Sequence, residues 1–248
     1  MINKMMKIFN YTNKFKAEQC KGKSHSDFFP KNIFCVIAGA TGSGKTNLML
    51  NLLLNEGVLS YRDIYVYSLS LYQPAYEYLK EYYGNIEKIA QQKLKKTVKV
   101  ARFFDGDEEI INPSDLDKTV SHIMIFDDVM NANQNLIKDY FCRGRHSNVN
   151  VFYLCQSLHK IAKHCIRDNA NIFILFHQDE KTLKYFHETH ISGDMEFKEF
   201  KSFCDRAWNK KYGFVVINLW EDAYCGRYLT NYTEIYTPSK YIKIHKIT

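Results

Sequence analysis

The chain has 248 residues, 46% of them hydrophobic, which suits one domain, or one domain with small additions, built on a sizeable core. Its seven cysteines include no CxxC pair, which argues against a disulfide or zinc framework and for a reducing compartment. No apolar run reaches membrane-spanning length and the N-terminus lacks the apolar core of a signal peptide, so we expect a soluble, intracellular protein without membrane insertion.

The net charge of +7 is unevenly distributed, because residues 1–25 hold six lysines against one glutamate. Residues 1–30 show no clear hydrophobic periodicity and are predicted to form a basic N-terminal arm. Such an arm could contact nucleic acid or remain a solvated tail. The main domain is predicted to span 31–220, and the aromatic tail over 221–248 is predicted to pack on that domain or extend it.

Hydrophobic periodicity predicts strands and helices that alternate along the chain. The predicted strands are 32–38, 63–69, 98–104, 122–126, 149–155, 172–176 and 214–219. The predicted helices are 47–54, 73–83, 86–96, 133–142, 161–169, 181–189 and 197–208. Gly84 is expected to end the second helix, the strand at 98–104 to lie at a sheet edge, and the acidic residues 105–109 to form a loop. The alternation predicts an α/β fold with a mainly parallel sheet flanked by helices.

The segment between the first strand and the first helix matches the pattern G-x-x-x-x-G-K-[ST]. Its residues are Gly39, Ala40, Thr41, Gly42, Ser43, Gly44, Lys45 and Thr46. The glycines allow successive N–H groups to face one phosphate, and the helix N-terminus adds partial positive charge. Lys45 can reach the β- and γ-phosphates, and the Thr46 hydroxyl can bind Mg²⁺. The sequence therefore predicts a nucleoside triphosphate site.

Polar side chains follow two of the later strands at the points where those strands end. Asp127 and Asp128 come directly after the strand at 122–126, and Gln156 follows the strand at 149–155. We expect Asp127 to hold Mg²⁺ together with Thr46, and Asp128 to orient and deprotonate the attacking water. If the strand before Gln156 lies between the two nucleotide-motif strands, the amide of Gln156 points at the γ-phosphate and can sense hydrolysis.

These three motifs together carry a family resemblance. GATGSGKT at 39–46, IMIFDD at 123–128 and GRHSNVNVFYLCQS at 144–157 resemble the poxvirus-type genome-packaging ATPases of the FtsK–HerA superfamily. The resemblance covers roughly 32–176. It implies a P-loop NTPase of the additional-strand, RecA-like class, with ATP and Mg²⁺ as ligands. Many members of the wider superfamily have Asp-Glu where this chain has Asp127-Asp128, so the second carboxylate is one methylene shorter here.

The resemblance also implies partners. It implies a homo-oligomeric ring, pentamer or hexamer, that threads double-stranded DNA into a preformed capsid and contacts a capsid or vertex protein; such a protein can be associated with the virion. In such rings an arginine of one subunit neutralises the transition state of its neighbour, and the candidates are Arg143, Arg145 and Arg167, with Arg145 and Arg167 favoured.

DNA contact should be made through phosphates, because a packaging motor must pass any sequence. Two basic sets are candidates for that contact. They are Lys93, Lys95, Lys96, Lys99 and Arg102, and Lys198, Lys201, Arg206, Lys210 and Lys211. Each set could instead be a solvated surface.

Two other functions are compatible with a phosphate loop. A small P-loop kinase would transfer phosphate to a nucleoside or metabolite and would need an arginine-rich lid. A nucleotide-gated assembly protein would bind ATP without rapid turnover. ATPase assays with and without double-stranded DNA distinguish all three possibilities.

Overall fold

The computed structural model describes residues 25–105, 110–129, 134–161 and 163–244. The strands are β1 Phe34–Ala38, β2 Asp63–Ser68, β3 Ala101–Asp105, β4 His122–Asp127, β5 Val149–Cys155, β6 Ile172–Leu175, β7 Val215–Asn218, β8 Tyr228–Thr230 and β9 Glu234–Tyr236. The α-helices are α1 Lys45–Leu54, α2 Pro74–Leu94, α3 Gln134–Arg143, α4 Glu180–Phe186, α5 Phe197–Trp208 and α6 Ser239–Ile244. Among these residues, no helix is both long enough and apolar enough to cross a bilayer.

The nine strands of the described residues belong to one sheet, in the order β3-β2-β4-β5-β1-β6-β7-β8-β9. The first six strands run parallel, and β7, β8 and β9 each run antiparallel to the preceding strand. In this order β5 lies between β1 and β4, which are the strands that precede the phosphate loop and the aspartate pair. The predicted fold class, a mainly parallel additional-strand P-loop fold, is confirmed.

Two apolar cores cover the two faces of the sheet, because alternate side chains of each strand point to opposite sides. On β1, Cys35 and Ile37 contribute to the core that contains the buried faces of α1 and α2. Phe34 and Val36 contribute to the other core, with α3, α4 and α5. The central strands are buried on both faces, which explains why they consist of continuous apolar runs.

The prediction that Gly84 ends a helix is wrong. Residues 74–94 form one helix, α2, and Gly84 lies inside it. An internal glycine costs a helix only about 1 kcal/mol relative to alanine. Burial of Tyr76, Leu79 and Tyr83 on the preceding turns outweighs that cost, since each large buried side chain contributes roughly 1.5–3 kcal/mol.

Other differences from the predicted elements are smaller. The strand predicted at 98–104 is an edge strand as expected, but it begins at Ala101, because the Glu87 carboxylate accepts from the backbone N–H groups of Val100 and Ala101. Parts of two predicted helices are π-helical, at Lys163–Arg167 and His187–Ile191. The strands β8 and β9 were not predicted. Most of the predicted acidic loop at 105–109 lies outside the described residues.

Candidate functional site

The phosphate loop follows β1 and leads directly into α1. Gly44 has φ 106°, a left-handed conformation that glycine adopts without strain, and it precedes the first residue of the helix. At Gly39 the constraint is space, since a Cβ there would lie 2.7 Å from the Cβ of Phe176. These two positions explain why the loop requires glycine at each end of its pattern.

Lys45 lies folded over this loop. Its ammonium donates to the carbonyl oxygens of Gly39 at 2.7 Å and of Ala40 at 3.0 Å. Partial burial lowers the pKa of Lys45, and the nearby carboxylates of Asp127 and Asp128 oppose that shift. The loop thus holds a cation whose present partners are neutral carbonyls, so an anion with several oxygens could replace them.

Asp127 is the last residue of β4 and points at the first turn of α1. One carboxylate oxygen, Oδ2, accepts from the Thr46 hydroxyl at 3.1 Å and from the buried hydroxyl of Tyr76 on α2. Only 7% of Asp127 is exposed, and this burial raises its pKa, while the hydrogen bonds from Tyr76 and Thr46 oppose the rise. Since Mg²⁺ prefers oxygen ligands and uses one or two protein groups at phosphate sites, Asp127 and Thr46 fit a Mg²⁺ site.

Asp128 and Gln156 are brought together although 28 positions separate them in the chain. The Gln156 amide lies 3.5 Å from Asp128 Oδ1, at the limit of a hydrogen bond, and both side chains are exposed. Asp128 has φ 57°, so the backbone leaves the extended conformation of β4 at this residue. The proximity follows from the position of β5 beside β4, at the edge where parallel strands end.

The residues of all three motifs line one small cavity of about 100 Å³. Its lining includes Thr41, Gly42, Lys45, Thr46, Ser70, Gln73, Asp127, Asp128, Leu154, Cys155 and Gln156. A second cavity of about 610 Å³ shares Gly42, Lys45, Thr46 and Gln73 with the first and continues along α1. A ligand with phosphates in the smaller cavity can therefore extend into the larger one.

The two favoured arginines lie away from this cavity. Arg145 precedes β5 and Arg167 precedes β6, so both lie towards the edge where the parallel strands begin. Arg145 is exposed, whereas Arg167 is 8% exposed and its guanidinium carbon lies 4.9 Å from the ring centroid of Tyr185. On the described surface, Arg145 is thus available to a neighbouring molecule and Arg167 is covered. Arg143 ends α3.

Sequence reasoning missed two tyrosines at the site. Tyr76 has the helical spacing of a core residue, and nothing in the sequence indicates that its hydroxyl meets Asp127. Tyr212 lines the larger cavity from the loop before β7, a placement that depends on β7 running antiparallel. Gly213, between a helix and a strand, is a turn signal, but it carries no information on how far Tyr212 lies from the phosphate loop.

Comparisons with known proteins identify a family and solved structures with the same fold. The poxvirus A32 protein family matches residues 24–219 of the chain. No curated protein matches the chain in a sequence search.

Two solved structures of the genome packaging NTPase B204 from Sulfolobus turreted icosahedral virus 2 share the fold. The AMPPCP complex is 12% identical with a TM-score of 0.50, and the match covers 77% of this chain and 94% of that one. The sulfate complex is 11% identical with a TM-score of 0.51, and the match covers 84% of this chain and 100% of that one.

Proposed function

The chain belongs to the poxvirus A32 protein family, and from that premise we propose that it is an ATP-hydrolysing motor that moves double-stranded DNA into a viral capsid. The observation that carries the proposal is the convergence of Lys45, the Thr46–Asp127 pair and the Asp128–Gln156 pair on one cavity. The B204 structures, which are of a genome packaging NTPase, have the same fold and so support the proposal.

The geometry supports a specific division of roles in hydrolysis. Lys45 exchanges its two carbonyl partners for oxygens of the β- and γ-phosphates. Asp127 and Thr46 would hold Mg²⁺, which would supply positive charge at the phosphates. Asp128 accepts a proton from water as the water oxygen bonds to the γ-phosphorus, and the bond from that phosphorus to the β–γ bridging oxygen breaks. Gln156, within reach of Asp128, can donate to the water or the γ-phosphate.

A turnover assay tests this function directly. We expect Mg²⁺-dependent ATP hydrolysis that double-stranded DNA stimulates, and we expect Lys45→Ala to abolish it. Phosphorylation of an added nucleoside or metabolite without DNA stimulation would instead identify a kinase. ATP binding without turnover, with or without DNA, would identify an assembly protein.

Ring action is proposed to require Arg145 of one subunit at the nucleotide of the next. The argument is exposure: Arg145 is free at the surface, while Arg167 is buried against Tyr185. Arg145→Ala should bind nucleotide normally and lose turnover, as an arginine supplied across an interface contributes about 10³–10⁵-fold to the rate.

Mixing inactive variants separates action across an interface from action within a subunit. Arg145→Ala mixed with Asp128→Asn should recover part of the activity, because some sites then combine an intact Asp128 with an Arg145 from the neighbour. Lys45→Ala mixed with Asp128→Asn is the control. In that mixture every subunit lacks either Lys45 or Asp128 at its own nucleotide site, so a neighbour cannot restore activity. Normal turnover by Arg145→Ala alone, or no recovery in the mixture, would refute the assignment.

For DNA contact we favour three lysines at the turn between α2 and β3, at the edge where the parallel strands begin. These amino-edge lysines are Lys93, Lys95 and Lys96, and all three are exposed. Several other members of the two basic sets are engaged within the chain. Lys99 pairs with Glu87, Lys201 pairs with Glu180, and the Lys211 ammonium lies over the ring of Tyr212. Free ammonium groups are better placed to release counterions from DNA phosphates.

A further inference from the structure

The larger cavity is lined by aromatic and amide side chains, unlike the charged cavity beside it. Phe176, Tyr212 and Phe214 contribute rings, and Asn47, Asn51 and Gln73 contribute amides. Its volume of about 610 Å³ falls in the range of small-molecule sites and can hold a nucleoside. Because the two cavities share Lys45 and Thr46, a triphosphate held at the loop directs its nucleoside into this space.

Tyr212 has the most solvent-exposed of the three rings. It is 58% exposed, whereas Phe176 is 2% exposed. A ring carbon of Tyr212 lies 3.5 Å from the point where a Cβ on Gly44 would stand, so the ring lies over the start of α1. The Lys211 ammonium is 4.9 Å from the ring centroid, and an ammonium can cover only one face of the ring.

The backbone holds Tyr212 in an unfavourable conformation. Its φ is 63°, which is rare for a bulky residue and strains the backbone. The turn is fixed by a hydrogen bond from the Gly213 N–H to the Lys210 carbonyl oxygen at 2.9 Å. A Cβ at Gly213 would lie 1.9 Å from the Ala207 carbonyl oxygen, so the chain can pass there only as glycine. Strain that directs an exposed ring at a cavity indicates a ligand contact.

We propose that Tyr212 is the stacking platform for the nucleobase of the bound nucleoside triphosphate, and that the platform favours purines over pyrimidines. The proposal rests on the proposed function, since it requires a triphosphate at the loop. Stacking acts through ring faces, so the larger purine gains more from it than a pyrimidine does. The affinity difference between ATP and UTP is then set at Tyr212, while Lys45 and Thr46 hold the phosphates of both.

Two substitutions separate the ring from the backbone. Tyr212→Asn removes the ring but tolerates positive φ, and Tyr212→Phe keeps the ring and removes only the hydroxyl. Binding is measured for Mg²⁺ complexes of ATP, UTP and inorganic tripolyphosphate, which has no base. We expect Tyr212→Asn to lose about 10-fold or more in ATP affinity, less in UTP affinity, and less than about twofold for tripolyphosphate. Tyr212→Phe should stay within about twofold for all three.

Lys45→Ala distinguishes failure of this inference from failure of the proposed function. If Lys45→Ala binds ATP and tripolyphosphate as the unaltered protein does, the triphosphate site itself is wrong. If Lys45→Ala loses both ligands while Tyr212→Asn keeps its ATP affinity, only the base platform is wrong. Equal losses of ATP and tripolyphosphate in Tyr212→Asn would show a structural role for Tyr212 and would also overturn the inference.

Discussion

The hydrogen bond between Tyr76 and Asp127 gives a quantitative test of how the site is held together. Tyr76 is 1% exposed and Asp127 is 7% exposed, so their contact is almost fully shielded from water. Burial raises the pKa of the Tyr76 hydroxyl well above its usual range, so Tyr76 stays protonated and donates a hydrogen bond to Asp127 Oδ2. Tyr76→Phe removes that donor and leaves Thr46 as the remaining side-chain partner of the same oxygen.

The expected loss follows from the charge of the acceptor. A hydrogen bond to a charged group contributes roughly 1.5–3 kcal/mol, about twice the value for a neutral pair. We therefore expect Tyr76→Phe to lower the free energy of unfolding by about 2 kcal/mol at pH 7 without nucleotide or Mg²⁺. For a domain of this size that corresponds to a fall in Tm of about 4–8 °C.

Tyr83→Phe is a matched control on the same helix. The Tyr83 hydroxyl is also buried, but it pairs with the neutral hydroxyl of Tyr61 at 2.6 Å, so its removal should cost about 1 kcal/mol. Thermal unfolding at pH 7 and at pH 4 compares the two variants. The cost of Tyr76→Phe should shrink at pH 4, because protonation of Asp127 begins at a higher pH than usual. Equal, pH-independent losses in both variants would refute the argument.

Three further outcomes follow from the same geometry. Burial raises the pKa of Asp127, so the protonated carboxyl stabilises the fold at pH values below its ordinary pKa, and this stabilisation is lost as the pH rises through the raised pKa. Asp127→Asn should therefore unfold at or above the wild-type Tm at pH 7 in EDTA, and it should lose hydrolysis. Asp128→Asn should bind ATP normally and turn over about 10²–10⁴-fold more slowly in a steady-state assay. Replacing the amino-edge lysines by alanine should reduce the slope of log affinity against log salt for duplex DNA by about 2.7, and the triple variant of Lys198, Lys201 and Lys210 should change it little.

The sheet and the edge that carries the candidate site could be predicted from the sequence because both depend on short-range signals. Continuous apolar runs indicate strands buried on both faces, and the alternation with helices requires them to run parallel. Once β1 and β4 are parallel, their carboxyl ends meet at one edge, which places Asp127 beside Thr46. A strand inserted between them brings Gln156 to the same edge.

The features that could not be predicted depend on competition between distant groups. Gly84 is a helix breaker by propensity, but the packing of α2 on the sheet decides the outcome. The start of β3 is set by Glu87, whose carboxylate takes the N–H groups of Val100 and Ala101, inside the strand that was predicted over 98–104. Strands as short as β8 and β9, three residues each, contain too few alternations to show a period.

The two cavities beside the phosphate loop are also where the chain departs from locally favourable choices. Six described residues other than glycine have positive φ, and two of them, Asp128 and Tyr212, line the two connected cavities. A third unfavourable feature, the buried carboxylate of Asp127, lines the smaller of the two cavities. Core packing explains none of the three, since Asp128 and Tyr212 are exposed and Asp127 would be more stable as a neutral group. We propose that each contacts a different part of one ligand: Asp128 the attacked phosphate, Tyr212 the base and Asp127 the metal.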